Sequence, residues 1–384
     1  MTVASSSEAH ALASYRAEFP VFQEQIYLNS CSLGAISNRV RERVAEFLDV
    51  WQARGASAWY DVWWEALAEL RAGYAAVIGA RPCEVALHPS VSTATAVLAS
   101  CLDLRSRPKV ITTSLDFPTV AYQWLAKQAD GVEVVVIRSP DGLTVPVEAI
   151  AAEVDERTAL VATSHVFFTT GAIQDIAAVA AIAHAKGALC FIDAYQSVGQ
   201  LPVDAHLAEV DFLAAGGLKW LLGGPGIAFL YVRDELIAQL APSVTGWFAH
   251  RNQFDFDIRS LTLHEDARRF EQGTPSLAAV HAQLAGLEIL KEIGVPAVRR
   301  VVTELTDDLI DRARAAGLTP STVDDSAKRS AIVMIPSSDP HAQVRALAAG
   351  KVIADARPGH VRLSPYFYNL KDDNAAAISI LGKG

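Results

Sequence analysis

The chain has 384 residues, 51% of them apolar, a formal net charge of −10 and an isoelectric point near 5.5. Length and a positive mean hydropathy of +0.22 suit a soluble globular protein with a large core and about two domains. The acidic balance argues against nucleic acid or an anionic membrane as partner, because both recruit clustered Lys and Arg.

The N-terminus, MTVASSSEAH, has neither a basic nor an apolar signal region, so no secretory leader is expected. Cys31, Cys83, Cys101 and Cys190 show no CxxC spacing, which speaks against a metal centre or a disulfide framework. The expectation is a cytoplasmic protein with reduced thiols.

An extended entry runs through residues 15–36 and closes at Gly34. Helical patterns follow near 38–52 and 62–79, the second ending at Gly79 before Arg81-Pro82. Trp51, Trp59, Trp63 and Trp64 make this region aromatic and suit core or interface packing. From about 84 to 232, short apolar strands alternate with helical segments. The strands are expected at 110–114, 132–137, 159–164, 188–193, 210–214 and 227–232, and the helices near 92–103, 118–129, 146–153 and 174–186. This alternation implies βαβ units and a mostly parallel sheet covered on both faces. Beyond Pro242 come an aromatic loop (246–275), helices near 276–292, 295–315 and 340–349, and strands near 330–335 and 360–364. The fold class is therefore α/β: a large domain over 30–255, and a smaller α+β domain from 1–29 and 256–384.

Within 213–232, LAAGGLKWLLGGPGIAFLYV, the single charge is Lys219, set among five glycines and a proline. The length would suffice for a membrane span, but the glycines and the central lysine argue against one. A surface lysine between two buried strands is the ordinary alternative. Among apolar neighbours the ammonium form is disfavoured, which makes such a lysine a good imine former. Upstream, Leu189–Asp193 reads as a short buried strand delivering an acid at its C-terminal end, where open α/β sheets place ligand groups.

Asp193 and Gln196, followed by a glycine-flanked Lys219 and Gly-Gly-Pro-Gly, resemble the class V aminotransferase group of fold-type I pyridoxal 5′-phosphate enzymes. The resemblance runs from Tyr27 to Asn369 and implies the cofactor, an imine on Lys219 and a pyridine-nitrogen partner in Asp193. Removing a desolvated charge partner of that kind costs about 3–5 kcal/mol. Gln196 would face the cofactor's phenolic oxygen, while Ser92 and Thr93, at a helix N-terminus suited to anions, would hold its phosphate. Phe117, in Phe-Pro-Thr, would lie on the ring, and Arg362, in the Arg-x-Ser…Tyr-Asn element, would take the substrate α-carboxylate bidentately.

Further segments are similar to the kynureninase branch: Tyr27–Ser30 with Ser32–Gly34, Ser164-His165-Val166, Gly246–His250 and Gly273–Ser276. They imply substrate-side roles for Asn29, Ser32 and His165 and cofactor contacts from Trp247 and Thr274, with Thr274 coming from a second subunit. A homodimer with shared active sites follows. A satisfied core histidine is nearly as good an account of His165.

The tyrosine that precedes the lysine in kynureninases is Leu218 here, and the acid after their Phe-Pro-Thr is Val120. Residues 191–384 contain no cysteine, whereas cysteine desulfurases carry their reactive thiol shortly before the carboxylate-binding arginine. Cys31 is the sole conceivable substitute. The expected activity is Cβ-lyase chemistry on a β-substituted alanine, C–S cleavage of a cysteine S-conjugate in specialised metabolism. Kynureninase-type hydrolysis, transamination, decarboxylating deamination and a non-catalytic cofactor-binding protein stand as alternatives.

Overall fold

The computed structural model describes Leu12 and residues 14–383. In chain order the strands are β1 (Ile26–Tyr27), β2 (Val85–His88), β3 (Lys109–Thr113), β4 (Glu133–Ile137), β5 (Thr158–Ser164), β6 (Leu189–Asp193), β7 (Phe212–Gly216), β8 (Ala228–Val232), β9 (Val333–Pro336), β10 (Val352–Ile353), β11 (Asp355–Arg357) and β12 (His360–Leu363). The helices that matter below are α1 (Asn38–Arg54), α2 (Val62–Val77), α3 (Val91–Cys101), α4 (Pro118–Leu125), α5 (Val147–Glu153), α6 (Ile176–His184), α7 (Asp234–Ile237), α8 (Leu277–Ile293), α9 (Val295–Ala315), α10 (Pro340–Ala349) and α11 (Lys371–Leu381).

Seven strands form the central sheet in the order β2-β8-β7-β6-β5-β3-β4. The run from β4 to β7 is parallel, and β8 is antiparallel to both of its neighbours. Parallel strands need both faces covered, and the side chains divide with the period of two that a strand imposes. From β6, Cys190 and Ile192 enter one core layer while Phe191 enters the other; from β7, Leu213 and Ala215 part from Phe212 and Ala214 in the same way.

Each expected strand of the central sheet is present, with ends moved by up to two residues. β2 is an addition: four buried residues cut off by Pro89 are too short to announce themselves. Between β3 and β5 the direction of strand succession reverses, because the chain goes outward to β4 before returning to the other side of β3. Loops leaving the C-terminal ends of β3 and β5 therefore part there and leave a crevice.

The smaller unit contains an antiparallel sheet, β11-β12-β9, and a parallel pair, β1-β10, that recruits the N-terminal segment. Its core joins Leu28, Leu309, Val333, Ile335, Val361, Leu363 and Ile378. In the β11–β12 hairpin Asp355 lies directly opposite Arg362. No helix among the described residues is long and apolar enough to cross a membrane.

Candidate active site

A cavity of about 360 Å³ opens over the C-terminal ends of the parallel strands and is walled by residues from both units. Phe117 follows β3, Ser164 ends β5 with Val166 and Phe168 after it, and Asp193 ends β6 with Tyr195 and Gln196 after it. Leu218 and Lys219 follow β7, while Cys31 and Ser32 enter from the N-terminal segment and Arg357 and Arg362 from the β11–β12 hairpin. Of the residues expected from sequence, Ser32, Phe117, Asp193, Gln196, Lys219 and Arg362 meet here.

Lys219 sits on a loop held from several sides. Gly217 N–H donates to the Ile227 carbonyl and Gly223 N–H to the Gly217 carbonyl, closing the loop on itself. Gly34 N–H donates to the Leu218 carbonyl at 2.7 Å, and a Cβ on Gly34 would stand 2.3 Å from the Lys219 carbonyl oxygen, so only glycine fits. The Tyr366 hydroxyl donates to the carbonyls of Gly199 and Trp220 and ties the tail of the smaller unit to the same loop. Lys219 Nζ has no hydrogen-bond partner among the described residues. It lies 4.3 Å from the centroid of the Tyr195 ring and 5.8 Å from that of Phe117. Burial, opposed in part by Asp193, lowers its pKa to about 8.

Asp193 accepts one hydrogen bond, from Tyr195 N–H at 2.9 Å, and burial raises its carboxyl to about 6. One carboxylate oxygen thus remains for a ligand. Tyr195 owes its place to Gly216, whose Cβ would stand 2.2 Å from the phenol oxygen. Gln196 spends one amide proton on the Cys31 carbonyl at 3.0 Å and accepts from the Trp220 indole at 2.9 Å. Beneath them the buried Asp116 receives four hydrogen bonds, from Thr112, Thr113, Thr163 and Ser164, and so binds the ends of β3 and β5 under Phe117.

Arg362 is buried. Its guanidinium donates to the Phe168 carbonyl at 3.0 Å, to Ser32 Oγ at 2.7 Å and to Asp355 Oδ2 at 2.7 Å, while Nε has no partner. Asp355 Oδ2 also receives Ser32 Oγ at 2.7 Å and lies 2.8 Å from an Arg357 nitrogen. Burial pushes the Asp355 carboxyl up, but the Ser32 hydroxyl and the two arginines more than offset this and hold it low.

The other expected residues stand outside the cavity wall. Ser92 and Thr93 open α3, whose N-cap Ser90 accepts from Thr93 N–H, and Ser92 bonds the Thr119 hydroxyl at 3.1 Å, next to the Phe117 turn. His165 is buried; desolvation lowers it to about 4, so the ring is neutral at pH 7, and Nδ1 has no partner. Asn29 pairs through its backbone with Ser364. Trp247 belongs to an aromatic group with Phe248 and Phe254, and Thr274 is exposed. Sequence reasoning passed over Tyr195, Phe168, Asp355, Arg357 and Asp116. The Pro358-Gly359 dipeptide between Arg357 and His360 is a turn signal that would have folded Asp355 back on to Arg362.

These groups fit an aromatic aldehyde bearing a phosphate. There is an unpartnered lysine amine, a buried carboxylate with a free oxygen, an aromatic lip and a hydroxyl-rich helix N-terminus.

The sequence pattern of the Aminotransferase class-V family matches residues 26–381. The chain is 37% identical over 374 residues to the "Uncharacterized aminotransferase YcbU" of Bacillus subtilis, covering 96% of this chain and 97% of that protein. It is 30% identical over 393 residues to the kynureninase of Bacillus anthracis, covering 97% and 91%. Among solved structures, the cysteine desulfurase of Thermococcus onnurineus NA1 superposes with a TM-score of 0.87 at 21% identity, over 100% of this chain and 98% of that one. The cystine C-S lyase C-DES, in complex with cysteine persulfide, gives 0.87 at 20% identity, over 95% and 99%. With a buried lysine on the loop after β7 and family agreement along nearly its whole length, this chain belongs to the class V aminotransferase family, and its cofactor is pyridoxal 5′-phosphate.

Proposed function

We propose that the chain is a lyase that breaks the Cβ–S bond of cysteine S-conjugates in specialised metabolism, with Lys219 as the proton carrier. The observation that carries this reading is the apolar share of the cavity lining, with Leu218 directly before Lys219 and Val166, Phe168 and Phe117 beside it, because none of these four can donate the protons that hydrolysis needs. When bound, the cofactor withdraws electrons from the Cα of an amino acid joined to it.

In this reading the chain's own groups take the following roles. Asp193 would hold the pyridine nitrogen protonated, Phe117 would cover the ring, and Ser92 and Thr93, at the N-terminus of α3, would hold the phosphate. Gln196 turns its remaining amide proton to the phenolic oxygen. Arg362, with Ser32 beside it, takes the α-carboxylate, and Asn29 and His165 support that end of the site from behind. Lys219, neutral above about pH 8, removes the Cα proton. The Cβ–S bond then breaks with its electron pair on sulfur, and the thiolate leaves and takes up a proton. Hydrolysis of the three-carbon remainder gives pyruvate and ammonium.

Two units of this chain form a homodimer in this account, with Trp247 and Thr274 reaching the phosphate of the neighbouring site. Supporting this, Trp247, Phe254, Phe256, Ile258 and Leu261 are all exposed on one short stretch, whose Phe248 N–H donates to the carbonyl of Gln272, two residues before Thr274.

Kynureninase-type hydrolysis is the second reading, favoured by Tyr195: its phenol, close to Lys219 Nζ, puts a proton donor into the cavity where Leu218 has none. The test is a substrate panel of kynurenine, cysteine S-conjugates and plain amino acids, with products identified by mass. Pyruvate, ammonium and a free thiol are expected from S-conjugates. Anthranilate and alanine from kynurenine would replace this reading with the second, and a keto acid with aminated cofactor would replace both with transamination.

A further inference from the structure

The carboxylate end of the cavity holds two guanidiniums, Arg357 and Arg362, and between them a carboxylate that family likeness did not suggest. A single oxygen of Asp355, Oδ2, lies 2.7 Å from Arg362 Nη2, 2.8 Å from Arg357 Nη2 and 2.7 Å from Ser32 Oγ. The backbone dictates this arrangement, since the hairpin register sets Asp355 directly across from Arg362 and the Pro358-Gly359 turn brings Arg357 to the same edge. Two positive charges and one negative leave one net positive charge at this end of the site. Asp355 also accepts a hydrogen bond from Arg362 and forms an ion pair with Arg357. What remains for a ligand is the set of guanidinium protons that the two forks do not spend on Asp355, Ser32 and the Phe168 and Ala356 carbonyls.

We infer that Asp355 is a specificity-determining residue that restricts the enzyme to amino acids with one carboxylate. The inference rests on the assignment of Arg362 to the substrate α-carboxylate. One carboxylate neutralises the single surplus charge. A second, on the side chain, meets Arg357 already paired and the Asp355 carboxylate close by. Like charges at such separations in a partly desolvated site are strongly discriminating. Without Asp355 the same two arginines would serve two carboxylates.

S-carboxymethyl-L-cysteine and S-carbamoylmethyl-L-cysteine make the comparison, because they match in shape and differ in side-chain charge. Calorimetric titration of the borohydride-reduced holoenzyme, which keeps the cofactor in place and cannot turn either compound over, gives their dissociation constants. The native protein should bind the neutral amide at least about tenfold more tightly than the acid, and Asp355→Asn should close or invert that gap by a further factor of about ten. Asp355→Glu, which keeps the charge, should retain native selectivity and controls for a local folding defect. An unchanged ratio in Asp355→Asn, native preference for the acid, or no binding of either compound would overturn the inference. Failure of the underlying reading shows separately: if Arg362→Lys weakens neither compound, Arg362 is not the carboxylate ligand, whatever Asp355 does.

Discussion

At the scale of single residues, the chemistry depends on an amine that gives up its proton more readily than an ordinary lysine, with no hydrogen bond to help it. Burial does this for Lys219, whose pKa near 8 lies well below the ordinary lysine value of 10.5. Asp193 is displaced the opposite way, from 3.8 to about 6, for the same reason. In the cofactor-free protein both groups are charged between about pH 6 and pH 8; above that interval the amine is neutral. Only the neutral amine attacks an aldehyde, so the rate at which stripped protein takes up pyridoxal phosphate should rise with pH through a midpoint near 8. Stopped-flow absorbance would read this directly. A midpoint above 10 would mean that Lys219 is solvated like any surface lysine.

At the scale of elements, the lysine loop is positioned by segments distant in sequence, and Gly34 is the tightest of these contacts. Gly34→Ala puts a methyl group against the Lys219 carbonyl, where the neighbour is backbone and cannot rotate away. Overpacking of this sort costs about 1–3 kcal/mol, and a lysine displaced by about 1 Å loses on the order of 100-fold in turnover. The variant should therefore fold and hold cofactor, with kcat falling far more than Tm; native kcat would mean that the loop does not need this clamp.

Legibility in the sequence differs between elements for physical reasons. The parallel strands and their helices were readable because burial on both faces leaves unbroken apolar runs, and Lys219 and Asp193 because each is a lone charge in or at the end of such a run. β11 has three residues, none fully buried, and no apolar pattern, so Asp355 and Arg357 went unnoticed. Tyr195 was hidden for another reason: its closeness to Lys219 depends on the pairing of β6 with β7 and on the space above Gly216, neither of which is local. For the division between units we propose the Gly294 turn as an alternative to residue 256, because α8 packs along α1 and α2.

On the scale of the whole molecule, two units line one cavity, and the exposed apolar side chains between Trp247 and Leu261 argue for a second chain. Light scattering should give twice the 41.1 kDa chain mass. Within such a dimer, inactive Lys219→Ala and Thr274→Ala chains should recover part of the native activity when mixed, because one of the hybrid sites has both residues intact; a monomer, or mixtures with no recovery, would confine the site to one chain. Everything proposed here turns on the identity of the lysine that carries the cofactor. Borohydride reduction of the purified holoprotein, followed by peptide mass analysis, tests this most directly. The account predicts loss of the visible absorption band and a pyridoxyl label on Lys219 alone; a label on another lysine, or none, would contradict it.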